Sequence, residues 1–472
     1  MKTTVHGFLV LLSALVVTNS YAGKRSLWTT MNGGGANGLG AIYTVNEDGS
    51  NGGVAINFNG VNGANPNGNL VKGNDNVLYG TTLAGGLYNY GVMFSYDPAT
   101  QVFAVLHHFN GTDGREPGDL LLSADGWLYG TSRGGGTHSS PSAPDGAGVL
   151  FRYHTGQPNS FQVVVDFNGV NGTDPQGLMQ AADGNIFGMT RRGGVNDRGT
   201  IFCFQPLLNT FAVVHSFSGL NGELPTKCRL LQANNGNLYG MTTWGGLHDF
   251  GVVFCYNIPT KIFTKLHDFD GSDGAWPMGT LMQASNGKLY GVTPYGGTYD
   301  AGEIFSYEIA PNLFTPIYSF DGALGSAPIG SLMEGEDGVL YGVTPDGGQY
   351  GLGVIFNFNI FNNSYSVVSH CDGTNDGAKP MSNVVEYGTT TGIEEEASVT
   401  ISMFPNPARD MVTFKTGDFM PQTITVTNLS GQQILQQPYT PQLSIEGLPA
   451  GVYNIELRAV SNLAKARVIK VN

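Results

Sequence analysis

Residues 78–96 read LYGTTLAGGLYNYGVMFSY, and this pattern of two apolar segments around a Gly-Gly loop returns along most of the chain. The segments alternate in the manner of short β-strands. Its Tyr-Gly dipeptide, or the equivalent pair, recurs at intervals of 51, 50, 58, 52, 51 and 51 residues, beginning at Trp28, Tyr79, Tyr129, Phe187, Tyr239, Tyr290 and Tyr341. Such a fixed period is typical of a repeat architecture.

Two further segments complete each period. A strand ending in phenylalanine, as at 103–109, leads into a Phe-Asn-Gly loop that closes on a proline, as at Pro117. A hairpin follows, and its Asp125-Gly126 turn supplies the positive φ that a two-residue hairpin needs. The period therefore contains four strands, A (Leu-Leu-Leu-Ser), B (Leu-Tyr-Gly-Thr), C (Val-Met-Phe-Ser-Tyr) and D (Phe-Ala-Val-Leu-His-His-Phe). Four strands in about 50 residues are typical of a propeller blade, and we predict a seven-bladed β-propeller.

The ends of the array predict how it closes. The repeat begins at a strand B, residues 26–30, with no strand A before it. A segment resembling the missing strand follows Pro380, at residues 382–387. We therefore predict that residues 382–387 pair with residues 26–30, which leaves no unpaired sheet edge.

Composition excludes several classes of protein. Only 12% of the 472 residues are charged, 70 are glycine and 41% are hydrophobic, which favours a turn-rich all-β chain over a disordered one. The net charge is −14, with no basic cluster, so we expect no nucleic-acid partner. The four cysteines lack a CxxC spacing, which disfavours a zinc site and leaves disulfide formation open.

The repeats resemble the GloVer tandem repeat of exported bacterial proteins. The resemblance rests on Leu-Tyr-Gly-Thr-Thr (78–82), Gly85-Gly86 and Gly-x-x-Phe (91–94), and it extends from Leu27 to about Tyr387. The first copy departs from the pattern, with Thr29 in place of glycine. Membership of that family implies a surface or secreted protein and no particular reaction.

Both termini carry export signals. Lys2, an apolar run at 8–17 and Ser-Tyr-Ala before Gly23 are typical of a signal peptide spanning 1–22. The later chain has no apolar stretch long enough to span a membrane, and we predict no transmembrane segment. We divide the rest into a propeller at 23–388, a polar linker at 389–397 and a small β-sandwich at 398–472.

The C-terminal module resembles the type A sorting domain of the type IX secretion system. Its recognisable elements are Pro-Asn-Pro at 405–407, Gly-Val-Tyr at 451–453 and the basic terminal segment 465–471. The resemblance implies the type IX machinery as a partner, and a secreted or outer-cell-surface location. Cleavage and anchoring of the module stay open.

Several chemically interesting residues repeat with the blades. His107, His215 and His267 occupy one strand-D position, which favours packing over ligation. Cys203 and Cys255 share a strand-C position that is Arg152 elsewhere, so we expect partial exposure there and no catalytic thiol. Carboxylates recur in the Phe-Asn-Gly loops, where Asx turns are the favoured interpretation and calcium a weaker one; they are Asp113, Asp174, Asp270, Asp273, Asp321, Asp372 and Asp376. We otherwise expect no cofactor and no metal.

A ligand-binding face is the sharpest functional hypothesis. The B–C and D–A loops should emerge on one face of the disc, and the residue before Gly-Gly varies within a constant frame, as binding loops do on a rigid scaffold. The candidate ligand-binding residues are Arg133, Arg192, Trp244, Trp276 and Tyr295. They suit a platform for sugar rings or peptide; the alternative is that they are exposed turn positions.

The expected function is a binding or adhesion module for glycan or protein. A secreted carbohydrate-active enzyme on the same scaffold is the first alternative, although no carboxylate pair is marked as catalytic. A structural surface-layer component is the second. The sequence leaves the ligand, and whether the chain is an enzyme at all, undecided.

Overall fold

The computed structural model describes residues 15–16, 25–157, 159–335, 338–373, 376–387, 400–404, 408–416, 421–428, 433–458 and 463–470. Strands, turns and loops make up these residues, and none of them lies in an α-helix. The chain divides into two compact units, Lys24–Tyr387 and the combination of Met1–Gly23 with Gly388–Asn472. Apart from strand β1 (Leu15–Val16), the predicted signal peptide lies outside the described residues, as do the predicted linker and the Pro-Asn-Pro element.

Within Lys24–Tyr387 the described residues form seven antiparallel sheets, numbered here in chain order. Sheet 1 contains β2 (Ser26–Gly33), β3 (Ala41–Asn46), β4 (Gly53–Asn57), β29 (Ala378–Pro380) and β30 (Val385–Tyr387). Sheet 2 contains β5 (Val71–Lys72), β6 (Leu78–Thr82), β7 (Val92–Asp97) and β8 (Val102–His108). Sheet 3 contains β9 (Arg115–Leu122), β10 (Trp127–Gly134), β11 (Val149–His154) and β12 (Gln162–Asp166).

The remaining four sheets repeat this composition. Sheet 4 contains β13 (Thr173–Gln180), β14 (Ile186–Arg192), β15 (Thr200–Gln205) and β16 (Thr210–Ser216). Sheet 5 contains β17 (Leu231–Gln232), β18 (Leu238–Thr242), β19 (Val252–Asn257) and β20 (Ile262–Asp268). Sheet 6 contains β21 (Met282–Gln283), β22 (Leu289–Thr293), β23 (Glu303–Glu308) and β24 (Leu313–Ser319). Sheet 7 contains β25 (Ile329–Glu334), β26 (Val339–Thr344), β27 (Val354–Asn359) and β28 (Ser364–His370).

Sheets 2 to 7 are four-stranded meanders in which consecutive strands are neighbours, so the predicted A-B-C-D unit is confirmed. The predicted length of strand A is wrong in sheets 2, 5 and 6, where only two residues pair with strand B. Around the paired residues, the inner backbone accepts side-chain hydrogen bonds from a neighbouring sheet, in short and long inner strands alike. Thr243 Oγ1, for example, donates to the carbonyl of Pro277 at 3.1 Å.

Sheet 1 is assembled from both ends of the unit. Strand β30 pairs with β2 through Ser26↔Tyr387 and Trp28↔Val385, and β29 continues along the same strand. The predicted pairing of the two ends is therefore confirmed. Between β29 and β30, the Ser382 hydroxyl replaces the backbone acceptor of strand A: it accepts a hydrogen bond from the backbone N–H of Thr30 at 3.0 Å.

The core lies between sheets, because each sheet is covered on both faces. Trp28 and Leu78 belong to a cluster shared by sheets 1 and 2, while other clusters join 2 with 3, 3 with 4, 4 with 5 and 6, and 6 with 7. A further cluster joins Leu27 of sheet 1 to Ile355 of sheet 7. Burial on both faces explains why nearly every residue of strands B and C is buried, whereas the alternation seen in the sequence would leave one face exposed.

The glycine of strand B fits a specific close contact. A Cβ on Gly80 would lie 2.5 Å from Cζ of Phe94, whose ring covers this glycine from strand C. Sheet 1 departs from this arrangement: Thr29 replaces the glycine, and it pairs with Tyr43 rather than with a phenylalanine. The Thr29 Oγ1 lies 3.0 Å from Ser382 Oγ. The one copy that lacks the glycine is therefore the copy in which the two ends of this unit meet.

The smaller unit contains two antiparallel sheets. One contains β1, β31 (Thr400–Phe404), β32 (Met411–Lys415) and β35 (Gln442–Ser444). The other contains β33 (Thr423–Thr427), β34 (Gln433–Pro438), β36 (Gly451–Arg458) and β37 (Leu463–Lys470). A buried cluster that includes Val412, Phe414, Ile424 and Ile455 draws on both sheets. Among all the residues described, no helix has the length and apolar character needed to cross a bilayer.

Candidate functional site

The B–C and D–A loops lie side by side, as the sequence predicts. Backbone bridges join the D–A loop to the B–C loop at Glu223↔Trp244 and Ala275↔Tyr295. The glycines after each B–C tip adopt positive φ, for example 81° at Gly245 and 82° at Gly246. This glycine frame holds Arg192, Trp244 and Tyr295 at equivalent places while their side chains vary. In sheet 3 the positive φ begins at Gly135, so the equivalent tip is Gly134 and Arg133 lies one residue before it.

Three of the predicted ligand-binding residues are in contact. The ring centroids of Trp244 and Trp276 are 5.1 Å apart, and those of Trp276 and Tyr295 are 5.5 Å apart. Phe250 joins them, 5.5 Å from Trp276. We call Trp244, Phe250, Trp276 and Tyr295 the aromatic cluster. Tyr295 is 43% exposed and the two tryptophans are partly exposed, so the cluster presents ring surface to solvent.

Trp276 stands at a backbone position that the sequence analysis did not single out. Its φ is +53°, and the residue before the D–A proline is left-handed in all seven described loops; the seven are Asn65, Glu116, Asp174, Leu224, Trp276, Ala327 and Lys379. A non-glycine residue in this region is strained by about 1 kcal/mol or more. The Trp276 N–H compensates by donating to the carbonyl of Phe250 at 2.8 Å, and its Nε1 donates to that of Asp249 at 3.2 Å.

This left-handed position is therefore a second variable tip on a fixed backbone. In the sequence, this position can be found as the residue directly before the proline that closes each D–A loop. Phe250 was also missed; it directly precedes Gly251, the glycine before strand C, at the position that is Tyr90 in sheet 2. Both kinds of position vary in side chain because their backbone bonds fix the loop irrespective of residue type.

Arg133 belongs to a second group of side chains, formed with Asp174 and Arg191, which we call the charged group. Its Nε is 3.3 Å from Oδ1 of Asp174, and Arg191 Nη1 is 3.7 Å from Oδ2 of the same carboxylate. Gln176 Nε2 also donates to Asp174 Oδ1, at 2.7 Å. Burial nevertheless raises the pKa of Asp174, because the two guanidinium groups only partly offset its loss of solvent.

The expected single row of five tips is thus only partly realised. Arg192 pairs with Asp197 of its own loop at 3.9 Å, and Arg191, its neighbour, faces the charged group instead. Arg191 Nε lies 3.4 Å from Thr226 Oγ1, and the Thr226 N–H donates to Thr243 Oγ1 at 3.0 Å. This chain of bonds ends one residue from Trp244, so the charged group and the aromatic cluster are adjacent.

The strand-D histidines pack between neighbouring sheets, as predicted. The His107 ring stacks on Phe161 at 3.7 Å, and its Nε2 lies 2.9 Å from Asp113. His267 stacks on Phe314 in the same way. Burial lowers the pKa of His215 to about 4, so this ring stays neutral at ordinary pH.

The loop carboxylates hold their own turns. Asp270 Oδ1 accepts bonds from the N–H and Oγ of Ser272 at 2.8 and 2.7 Å, and Asp273 Oδ1 accepts from the N–H of Asp270 at 3.0 Å. The Asx-turn interpretation is confirmed here. Among the residues that the structure describes, no three His, Cys, Asp or Glu side chains form a group suited to a metal ion.

The four cysteines are free thiols. The expected partial exposure of the strand-C position holds for Cys255 and is wrong for Cys203, which packs into the apolar cluster between sheets 4 and 5. Burial raises the pKa of Cys203 to about 11, which disfavours the reactive thiolate.

Residues 17–228 and 226–401 each match the family model of the Gloeobacter/Verrucomicrobia repeat. The chain belongs to this repeat family. Residues 402–471 match the secretion system C-terminal sorting domain. Both resemblances inferred from the sequence are therefore confirmed, and the sorting domain places the protein outside the cell or on its outer surface. No curated protein matches the chain.

Solved structures similar to the chain include two putative 6-phosphogluconolactonases. The protein from Bacteroides fragilis is 13% identical, with a TM-score of 0.53 over 78% of this chain and 100% of that one. The protein from Bacteroides uniformis is 15% identical, with a TM-score of 0.51 over 77% and 99%. At these identities the likeness concerns the fold alone, and it supports a propeller-like arrangement of sheets.

Proposed function

We propose that this chain is an extracellular binding protein that recognises a glycan or protein through the aromatic cluster. Its scaffold is a closed seven-bladed propeller at residues 23–388, after a removed signal peptide at 1–22. A linker at 389–397 leads to the sorting module at 398–472, which the type IX machinery recognises.

Two observations support closure of the scaffold. Apolar clusters join each sheet to the next and join sheet 7 back to sheet 1. In addition, the Asn383 N–H donates to Asn69 Oδ1, beside sheet 2, at 3.0 Å, and Asn383 Oδ1 accepts the N–H of Ser331 in sheet 7 at 2.6 Å, which ties this segment to both neighbouring sheets. A ring of seven sheets accounts for both.

The aromatic cluster carries the proposal of binding. Its rings are partly exposed on loops whose backbone is fixed by glycines and by the Trp276 bonds, so little conformational entropy remains to be lost on binding. Aromatic anchors of this kind supply much of the energy of protein and sugar interfaces. The tyrosine hydroxyl and indole N–H add polar contacts to the apolar ring faces.

The test is a glycan array and a panel of cell-surface proteins, each probed with residues 23–472 and followed by titration of the strongest binder. Trp244→Ala and Tyr295→Ala should each weaken that binder about thirtyfold, equivalent to about 2 kcal/mol, with little change in melting temperature. Tyr88→Ala is the matched control, because Tyr88 is 56% exposed on the equivalent loop of sheet 2. It should bind like the wild type.

Other outcomes separate the alternatives. Unchanged affinity in both variants places the site elsewhere, and a large loss of stability makes these side chains packing residues. Hydrolysis of an array glycan would indicate the carbohydrate-active enzyme. The absence of both binding and hydrolysis would favour a structural surface component.

A further inference from the structure

A small polar cavity lies beside the charged group, where the inner segments of sheets 2 to 5 come together. It has a volume of about 40 Å³, and its lining includes Asn67, Asp119, Arg133, Gln176 and Lys227. No member of the aromatic cluster lines it. It therefore needs an explanation separate from that cluster.

Lys227 brings a poorly compensated charge to this cavity. Its Nζ donates to the neutral Oδ1 of Asn67 at 2.7 Å, across 160 residues of sequence. Within the described chain, no carboxylate oxygen lies at ion-pairing distance from this ammonium group. Burial lowers the Lys227 pKa to about 8, and Asp119 only partly opposes that effect.

Asp119 is already committed to other donors. Its Oδ1 accepts the N–H of Asn69 at 2.8 Å and its Oδ2 accepts Arg229 Nε at 2.9 Å. Although burial alone would raise the Asp119 pKa, Arg229 and the Asn69 N–H outweigh it, so the pKa is lowered and the carboxylate is ionised. One Asp119 carboxylate thus serves Arg229 and leaves Lys227 without a close counter-ion.

Arg229 adds a further unused donor. Its Nη2 is buried and has no hydrogen-bond partner. Its side chain passes over Gly177, where a Cβ would collide with it. A buried guanidinium donor without a partner destabilises the fold, so an acceptor within its reach would be stabilising.

The local charge balance is positive within an acidic chain. Two cations, Arg133 and Lys227, and one carboxylate, Asp119, line the cavity. The chain as a whole carries −14. An anion entering the cavity would restore the balance and gain charge-assisted hydrogen bonds.

We propose that this cavity binds a compact oxyanion, a carboxylate or phosphate group, held by Lys227 and Arg133. The volume suits this ligand, since about 10–15 Å³ of such space holds one water molecule and 40 Å³ therefore admits only a group of a few atoms. The group arrives as a free ion or as the acidic end of a larger molecule. The site does not depend on the aromatic cluster, so failure of the proposed glycan or protein binding leaves it intact.

The experiment uses the chain without its signal peptide, titrated calorimetrically with sodium acetate and with sodium phosphate at constant ionic strength and pH 7. Binding of one or both in excess of chloride is expected, and comparison of the two arms identifies the preferred group. Lys227→Met and Arg133→Gln should each weaken it at least tenfold. Lys288→Met is the matched control, because Lys288 lies far along the sequence and pairs with Glu308 at 2.8 Å.

Two further variants keep the test decisive. Trp276→Ala should leave anion binding unchanged while removing any glycan or protein binding, which separates the two sites. Lys227→Arg retains the charge and should preserve most of the binding if Lys227→Met fails to fold. Equal heats from acetate, phosphate and chloride, or equal binding by the wild type and Lys227→Met, would overturn the proposal.

Discussion

Sheets 1 and 5 have the same strand order and register but different origins. In sheet 1, β2 pairs with β3 through Thr29↔Tyr43, and in sheet 5, β18 pairs with β19 through the equivalent Gly240↔Phe254. The inner strand of sheet 5 precedes β18 in the chain, whereas that of sheet 1 arrives from more than 350 residues away, as the Ser26↔Tyr387 pair shows.

The same inner position serves different purposes in the two sheets. Ser382 of sheet 1 makes hydrogen bonds to Thr29 and Thr30, and it bridges the gap between β29 and β30. Its counterpart in sheet 5, Cys228, is fully buried and makes only weak bonds from its thiol to backbone carbonyls. A sheet closed by its own chain can place other chemistry on its inner segment, and sheet 5 has Lys227 and Arg229 directly before β17.

The largest expected effect is loss of the strand that closes sheet 1. Deleting residues 382–387 removes the partner of Ser26 to Trp28 and exposes the clusters shared with sheets 2 and 7. The variant should fail to fold or should melt several degrees lower by calorimetry. An unchanged melting temperature would mean that closure contributes nothing and that the seven-bladed ring is wrong.

The control is truncation directly after Tyr387. This variant lacks the sorting module but keeps β30 and every contact within Lys24–Tyr387. Its main melting transition should match that of the longer chain. In a host with type IX secretion, the same truncation should leave the protein in the periplasm.

A smaller effect is expected from the Ser382 hydroxyl alone. Ser382→Ala leaves the buried N–H of Thr30 without its acceptor, which should cost about 2 kcal/mol in the free energy of unfolding. Cys228→Ala removes a thiol with weak bonds and should cost about 1 kcal/mol from lost packing. Urea unfolding of both variants measures the difference; equal losses would deny Ser382 a special role in closure.

The repeat made most of this fold predictable from sequence. The period predicts the four strands and their order, and the incomplete first copy predicts which distant segment pairs with β2. What the period does not contain is the length of strand A, which is two residues in sheets 2, 5 and 6 and eight in sheets 3 and 4, although neighbouring threonines donate to the inner backbone in both cases.

The candidate site was less predictable for a related reason. The sequence identifies variable tips, and three of the five come together because Trp276 sits at the left-handed position before Pro277. Pairing partners decide the other two: Arg133 turns to Asp174, and Arg192 to Asp197. The cavity around Lys227 combines residues from four sheets, and such an arrangement follows only from how neighbouring sheets pack, not from one repeat.

The smallest effect concerns the charge of Lys227, which distinguishes the inner strand of sheet 5 from that of sheet 1. The pKa of Lys227 falls from the ordinary 10.5 to about 8 in the folded protein, with burial as the main cause. The groups that face it are Asn67, Asp119, Arg133 and Gln176, and of these Asp119 favours the charge while Arg133 opposes it.

Below pH 8 the lysine is protonated in both the folded and unfolded states, and its buried charge destabilises the fold to a constant extent. Between pH 8 and 10.5 the folded state releases the proton first, so the unfolded state binds more protons and stability rises with pH. Other groups also titrate in this range, so the measurement is the difference between wild type and Lys227→Met at each pH. The wild type should gain about 1 kcal/mol relative to the variant from pH 7 to 9. If the stability difference between wild type and Lys227→Met does not change with pH, then Lys227 keeps an ordinary pKa because an anion or another group neutralises it in solution. If the pH-dependent gain disappears when phosphate is added, the oxyanion is that neutralising group.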